Sequence, residues 1–173
     1  EWRFAWVHRF PLLEPNDEGG WTPMHHIFTH PLESDLDKLD TDPGAVHAEL
    51  YDLVLNGVEL GSGSVRIHRA DLQEKVLSII GVSKEEAKEK FGFLIDAFRF
   101  GAPPHGGIAL GLDRLVMLLV GTDNIRDTIA FPKTTSATSL MDGAPSPVDK
   151  QSLKDLHLSL ARKKPAEKPP EKS

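Results

Sequence analysis

The sequence predicts an α+β fold in which a mainly antiparallel sheet is flanked by helices. Three features carry that prediction. Asn56-Gly57 sits between two apolar runs, and a type I′ hairpin turn needs positive φ at both central residues, which Asn and Gly tolerate best. Two amphipathic helical stretches follow the hairpin. Gly106 to Leu119 then passes from a strand pattern into a helical pattern, with the charged pair Asp113-Arg114 at the junction.

Taken in order, Trp2 to Leu13 is rich in aromatic and β-branched residues and reads as a strand closing at Pro11. The segment from Glu14 to Gly44 carries five acidic residues between Asp17 and Asp37 along with Pro15, Gly19, Gly20, Pro23, Pro31 and Pro43, so it reads as a long loop bordering a site. Strands are expected over 47–55 and 58–68. Helices are expected over 71–80 and 84–100, the second with a capping-box pattern at Ser83 and Glu86 and an apolar stripe of Ala87, Phe91, Leu94, Ile95 and Phe98. Those stripes read as packing surfaces, and Met117 as core. Ile108 to Leu112 reads as a buried strand leading into a mostly buried helix. Residues 124–131 read as a short helix or turn ending at Pro132, and 158–173 as a disordered Lys/Pro/Glu-rich tail that buries too little apolar surface to order itself.

Composition sets outer bounds. The 173 residues suffice for one well-buried core, and a formal charge of −6 argues against a surface that attracts nucleic acid as a whole, leaving room for a local basic groove. The absence of cysteine excludes disulfides and thiolate metal sites, and the eight histidines show no zinc spacing. A cytoplasmic location fits this usage. No apolar run of about 18 residues marks a membrane span, and the start at Glu1 has no signal-peptide pattern and reads as a chain beginning inside a strand.

Two places carry candidate chemistry. A two-residue turn at Asn56-Gly57 sets Leu55 opposite Val58, Val54 opposite Glu59 and Asp52 opposite Gly61. Asp52 and Glu59 then share a face as diagonal neighbours about 7 Å apart, near enough to hold one cation between them. The alternative is a solvated acidic face, against which the intervening Val54 argues. Arg66 stands seven residues after Glu59, an odd offset that puts it on the other face of an unbroken strand. Gly61-Ser62-Gly63 between them suggests a bulge there that returns Arg66 to the acidic face. The other place is Arg114, in the first turn of an apolar helix, which either pairs with a nearby carboxylate or receives a phosphate.

Gly101-Ala102-Pro103-Pro104-His105-Gly106-Gly107-Ile108-Ala109-Leu110-Gly111-Leu112-Asp113-Arg114-Leu115 resembles motif 3 of class II aminoacyl-tRNA synthetases in its bacterial aspartyl form. Further matches are Met24-His25-His26 before Phe28-Thr29, Tyr51-Asp52 through Asn56-Gly57, Gly61 to His68, and Ile125-Arg126-Asp127 with Ala130-Phe131-Pro132-Lys133. The resemblance covers most of residues 2–157 and implies a partial class II catalytic domain over 1–157. By that resemblance Arg114 grips the γ-phosphate of ATP, with Gly111, Leu112 and Asp113 as the adjoining nucleotide wall. Glu59, helped by Asp52, holds the ATP-bound Mg2+. Arg66 binds the side-chain carboxylate of L-aspartate, His25 contacts the same substrate, and His26 assists from the loop.

The implied activity is aspartate–tRNA ligation through aspartyl-adenylate, with ATP, Mg2+, L-aspartate and tRNA(Asp) as reactants or partners and a homodimer as the intact enzyme. Motif 1, motif 2 and an anticodon-binding domain have no counterpart in these residues. The expectation is therefore a C-terminal fragment with little activity alone and with unpaired sheet edges and exposed apolar surface. Three alternatives remain: an ammonia-dependent asparagine synthetase of related fold, a non-catalytic synthetase-like module, and an enzyme that also charges tRNA(Asn).

Overall fold

The computed structural model describes residues 1–161, which fall in two compact units, Glu1–Thr128 and a second beginning at Ile129. In the first unit, strands β1 (Phe4–His8), β4 (Leu50–Leu55), β5 (Val58–Val65) and β6 (Gly106–Leu110) form an antiparallel sheet in the order β1-β4-β5-β6. A separate two-stranded ribbon pairs β2 (Leu13–Pro15) with β3 (Trp21–Pro23). Helices α1 (Ala70–Ile79), α2 (Lys84–Phe98) and α3 (Leu112–Val120) belong to the same unit, and the hairpin and the strand before Gly111 are neighbours in the sheet.

Local chemistry explains most boundaries. Asn56 and Gly57 take φ of 50° and 82°, the conformation that the two-residue hairpin turn requires. The expected first strand splits in two because Arg9 enters the left-handed region at φ 60°. Ser83 caps α2 by accepting from Glu86 N–H at 3.2 Å, while the Glu86 carboxylate turns to Lys90 at 2.6 Å instead of closing a reciprocal capping box. The apolar stripe of α1 places Leu72 and Val76 in a core with Leu12, Leu13, Leu39, Val46, Ala48, Leu50 and Ile67. Its Leu77 joins Ala87 and Ile95 of α2 in a second cluster.

The long segment before β4 is more ordered than a loop. It contains β3 and 3-10 helices at Glu33–Leu39 and Pro43–Ala45. Buried Asp35 ties it down, accepting from Lys38 Nζ at 2.6 Å, His47 Nδ1 at 2.8 Å and His47 N–H at 3.1 Å. Residues 124–131 supply a 3-10 turn at Ile125–Thr128.

The expected buried strand and helix at the Asp113-Arg114 junction require correction. β6 runs Gly106–Leu110 and every residue in it is exposed, while α3 buries only Met117. The apolar pattern was read correctly as strand then helix, but β6 is a sheet edge among the described residues and nothing there covers its face. Register puts Phe4 and Trp6 on the same face as Leu53, Ile108 and Leu110, and four of these five are large exposed hydrophobics. The expected exposed apolar surface and unpaired edges are thus observed.

In the second unit, Asp149 caps α4 (Lys150–Asp155) by accepting from Gln151 and Ser152 N–H, each at 2.9 Å. Residues 158–161 carry no helix or strand, and the rest of the predicted disordered tail, 162–173, lies outside the described residues. No helix among the described residues is long and apolar enough to cross a membrane.

Two stability measurements check this account. A Cβ added at Gly63 would sit 2.2 Å from the Gly107 carbonyl oxygen and 2.6 Å from the Tyr51 ring. Gly63→Ala is therefore expected to separate β5 from β6 and cost about 1–3 kcal/mol or more in a denaturant titration. The Asp35 carboxyl is held well below the usual carboxylate range by the Lys38 side chain first and the His47 donors next. Since the folded value lies below the unfolded one, this stabilisation is fully present above the ordinary carboxylate pKa and is lost progressively as pH falls from there through the folded value. The melting temperature of the wild type is expected to fall more steeply below about pH 4 than that of Asp35→Asn, which starts lower.

Candidate active site

The site is built on an irregularity in β5. Leu55 pairs with Val58 and Val54 with Glu59, as the turn dictates, but the next pair is Leu53 with Gly61. Leu60 is left over as a bulge. Pairing is regular from Gly61 to Ser64 with β4 and from Gly61 to Val65 with β6, so the bulge lies one residue before the Gly-Ser-Gly run expected to form it. Asp52 consequently faces Ser62 and not Gly61. The consequence anticipated for the bulge still follows: the extra residue reverses the alternation, so Glu59, Ser62, Ser64 and, one step past the strand, Arg66 share the face of Asp52.

The bulge also receives α3. Gly111 N–H donates to the Leu60 carbonyl at 2.7 Å, fixing the start of the helix against β5. One turn on, Arg114 Nη1 donates to the Glu59 carbonyl at 2.7 Å and reaches the Glu59 carboxylate at 3.3 Å. Of the two readings of Arg114, pairing with a carboxylate is the one observed. That carboxylate belongs to Glu59, the residue singled out for metal binding, so the structure joins the two. Neither side chain is buried: that of Arg114 is 44% exposed and that of Glu59 is 50% exposed. Leu112 and Asp113, expected as part of a nucleotide wall, are exposed in the same turn.

Asp52 is the complementary case. It is half-buried in β4, and its Oδ1 is buried with no hydrogen-bond partner. Ser64 Oγ, on the same face, is in the same condition. Buried polar atoms are normally satisfied, so two orphans on one face mark a place suited to a polar ligand. Among the described residues no group of three or more His, Asp or Glu is arranged to hold a metal ion, so Asp52 and Glu59 stand as a carboxylate pair alone. Hard oxygen donors of this kind fit Mg2+, which takes one or two protein carboxylates and completes its shell with water and phosphate.

Arg66 is held at the other end of the face. Its N–H donates to the His105 carbonyl at 2.9 Å, and it bridges to Thr29 of the histidine loop. Its guanidinium meets His26, with Nη1 3.0 Å from Nδ1, an atom that also lies 3.3 Å from Phe28 N–H and 3.2 Å from Thr29 Oγ1. Burial first, then the Arg66 charge and the neighbouring His25, push the His26 imidazole below its ordinary pKa. His25 is exposed, and its ring stands edge-on to Phe10 at 5.1 Å. The histidine that touches Arg66 is thus the one given the lesser role in the sequence reading.

That reading missed Ser64, Thr29 and Gln73. Ser64 becomes visible once the bulge sets the parity of β5. Gln73 is fully buried in α1 and interrupts the apolar residues Leu72, Val76 and Leu77, a break in pattern that does mark it.

A family model described as tRNA synthetases class II (D, K and N) matches residues 1–135. The chain belongs to this family. Its curated relatives include the aspartate–tRNA(Asp/Asn) ligase of Rubrobacter xylanophilus, 61% identical over 158 residues that cover 91% of this chain and 26% of the relative. The aspartate–tRNA ligase of Staphylococcus carnosus is 59% identical over 158 residues, covering 91% and 27%. The motif reading of a bacterial aspartyl-type class II synthetase is thereby borne out. The chain spans about a quarter of the length of these relatives. Among solved structures, the aspartyl-tRNA synthetase of Entamoeba histolytica aligns with a TM-score of 0.56 at 30% identity, over 77% of this chain and 23% of that one. The asparaginyl-tRNA synthetase of the same organism in complex with asparaginyl-adenylate aligns at 0.58 and 23% identity, over 79% and 26%, a likeness of fold. Both agree with an α+β partial catalytic domain.

The Arg66–His26 contact makes a prediction about protonation. Because the folded pKa of His26 is depressed, the contact is stable above the ordinary imidazole pKa and is lost as pH falls through the folded value. In an NMR titration the His26 ring is expected to titrate at lower pH than a free imidazole, and Arg66→Gln to move it upward.

Proposed function

We propose that the intact enzyme containing this chain is an aspartate–tRNA ligase, which activates L-aspartate with ATP to aspartyl-adenylate and transfers the aspartyl group to tRNA(Asp). The observation that carries the reading is the single face on which the bulge gathers Asp52, Glu59 and Arg66, with Arg114 joined to Glu59 at its edge. Arg66 offers a planar, permanently charged fork suited to a second carboxylate, which an amide side chain cannot match in charge. Arg114 offers the γ-phosphate of ATP a guanidinium, and Leu112 and Asp113 beside it offer the backbone N–H groups of the first turn of α3, which Gly111 anchors to β5 through its own N–H. Asp52 and Glu59 would hold Mg2+, which when bound offsets phosphate charge.

No side chain here needs to act as a nucleophile. The aspartate α-carboxylate attacks the α-phosphorus of ATP, pyrophosphate leaves, and these residues hold the reactants in line and offset the charge on the phosphates. His26 keeps the Arg66 guanidinium in place, and His25 lies next to it on the loop that borders the carboxylate site. We assign the enzyme to the cytoplasm as a homodimer that binds tRNA. The names of its relatives include both aspartate–tRNA ligase and aspartate–tRNA(Asp/Asn) ligase at nearly equal identity, so charging of tRNA(Asn) is a second specificity to assay.

Arg114→Ala in the intact enzyme is expected to lower aspartate-dependent ATP–pyrophosphate exchange by about 100-fold or more. An unchanged exchange rate overturns the phosphate role.

A further inference from the structure

Helix α1 carries a neutral amide into the core at Gln73, which is completely buried. Its Nε2 donates to the Ile27 carbonyl at 2.8 Å, and its Oε1 is buried without a partner. An apolar side chain of the same length would fill this position at lower cost, because the amide loses its hydration and recovers only part of its hydrogen bonding. Packing alone therefore does not account for Gln73. The bond to Ile27 does, and Ile27 directly follows His25-His26.

The surroundings show what that bond controls. The Ile27 side chain packs on the Leu77–Ala87–Ile95 cluster, the Phe28 ring stands edge-on to Phe91 at 5.6 Å, and the Phe28 carbonyl accepts from Ile67 N–H at 2.9 Å. These contacts secure the loop from Phe28 onward and hold the Ile27 side chain. The first peptide carbonyl after the two histidines, that of Ile27, is held by Gln73. We propose that Gln73 is a positioning residue for the carboxylate-binding corner: by holding the Ile27 carbonyl it keeps His26 against Arg66 and fixes where His25 is presented. The inference rests on the proposed activation of aspartate.

Without the amide, the Ile27 carbonyl must rotate to find another donor, which carries His26 away from Arg66 and frees the guanidinium to take other rotamers. The Glu59–Arg114 corner is built separately, from the β5 bulge and the start of α3. Loss of Gln73 therefore acts on one substrate and spares the other.

The test uses the intact enzyme. Gln73→Met keeps length and apolar contact while removing the donor, and is expected to raise the KM for aspartate about tenfold with the KM for ATP changed less than about twofold. Gln73→Glu adds a pH signature. Burial favours its neutral carboxyl, which can donate to Ile27, whereas the carboxylate cannot; its aspartate KM is expected near wild type at acid pH and to rise relative to wild type as pH increases.

A folded Gln73→Met enzyme with an unchanged aspartate KM, or with both KM values raised equally, overturns the assignment. If that variant fails to fold, the pH dependence of Gln73→Glu decides, and a flat ratio to wild type overturns it. If the wild type itself shows no aspartate-dependent exchange, the functional reading fails on its own. The tether is then judged in this chain by the His26 titration, which Gln73→Met should shift upward and which an unmoved value would refute.

Discussion

One inserted residue, Leu60, sets the geometry on which the rest of the site depends. Strand alternation would place Glu59 and Arg66 on opposite faces, and the bulge cancels that by consuming one residue without a partner. The same distortion turns the Glu59 and Leu60 carbonyls toward the start of α3, where Arg114 and Gly111 take them at 2.7 Å each. Face and helix position are therefore coupled. A β5 paired regularly with β4 would move Arg66 off the face and leave α3 without its two backbone acceptors.

The ion pair across this junction is weak, and that suits its surroundings. Glu59 and Arg114 are each about half exposed at 3.3 Å, and such pairs contribute roughly 0–1 kcal/mol. Partners with more concentrated charge can displace either member at little cost. Asp52 differs: its buried orphan oxygen already bears the cost of desolvation, so a cation there recovers an interaction that the sheet alone does not supply. One carboxylate of the pair is thus easily exchanged and the other stands unsatisfied, a combination suited to reversible cation binding.

How far the sequence could be read follows from which physical signals are local. The hairpin was legible because Asn56-Gly57 satisfies a φ requirement that few other pairs meet. The bulge was legible in existence, from the odd offset between Glu59 and Arg66, but misplaced by one residue. Gly61 and Gly63 suggest it in the sequence, yet they are glycine because β6 and the Tyr51 and Leu110 side chains lie where a Cβ would project. The exposure of β6 and α3 was not legible, since an apolar pattern shows which face seeks cover and not whether cover is present. Two adjacent histidines on a loop have no periodicity to rank them, and His26 was separated from His25 only by its contact with Arg66.

The two corners of the site owe their precision to different things, and this bears on selectivity. At the proposed phosphate corner the positions are fixed by backbone: bulge carbonyls, a helix start and an arginine whose reach is set by one turn of α3. At the proposed carboxylate corner they are fixed by side chains, since Arg66 is oriented by His26, whose loop is in turn tied by Thr29 and Gln73. Binding triphosphate needs charge at a roughly correct place. Telling a carboxylate from the amide of the same shape needs a guanidinium held in one orientation, because a free arginine would adapt to either. The longer chain of supporting contacts behind Arg66 is where that discrimination would reside, and its most deeply buried polar link lies in α1, outside the matched motifs.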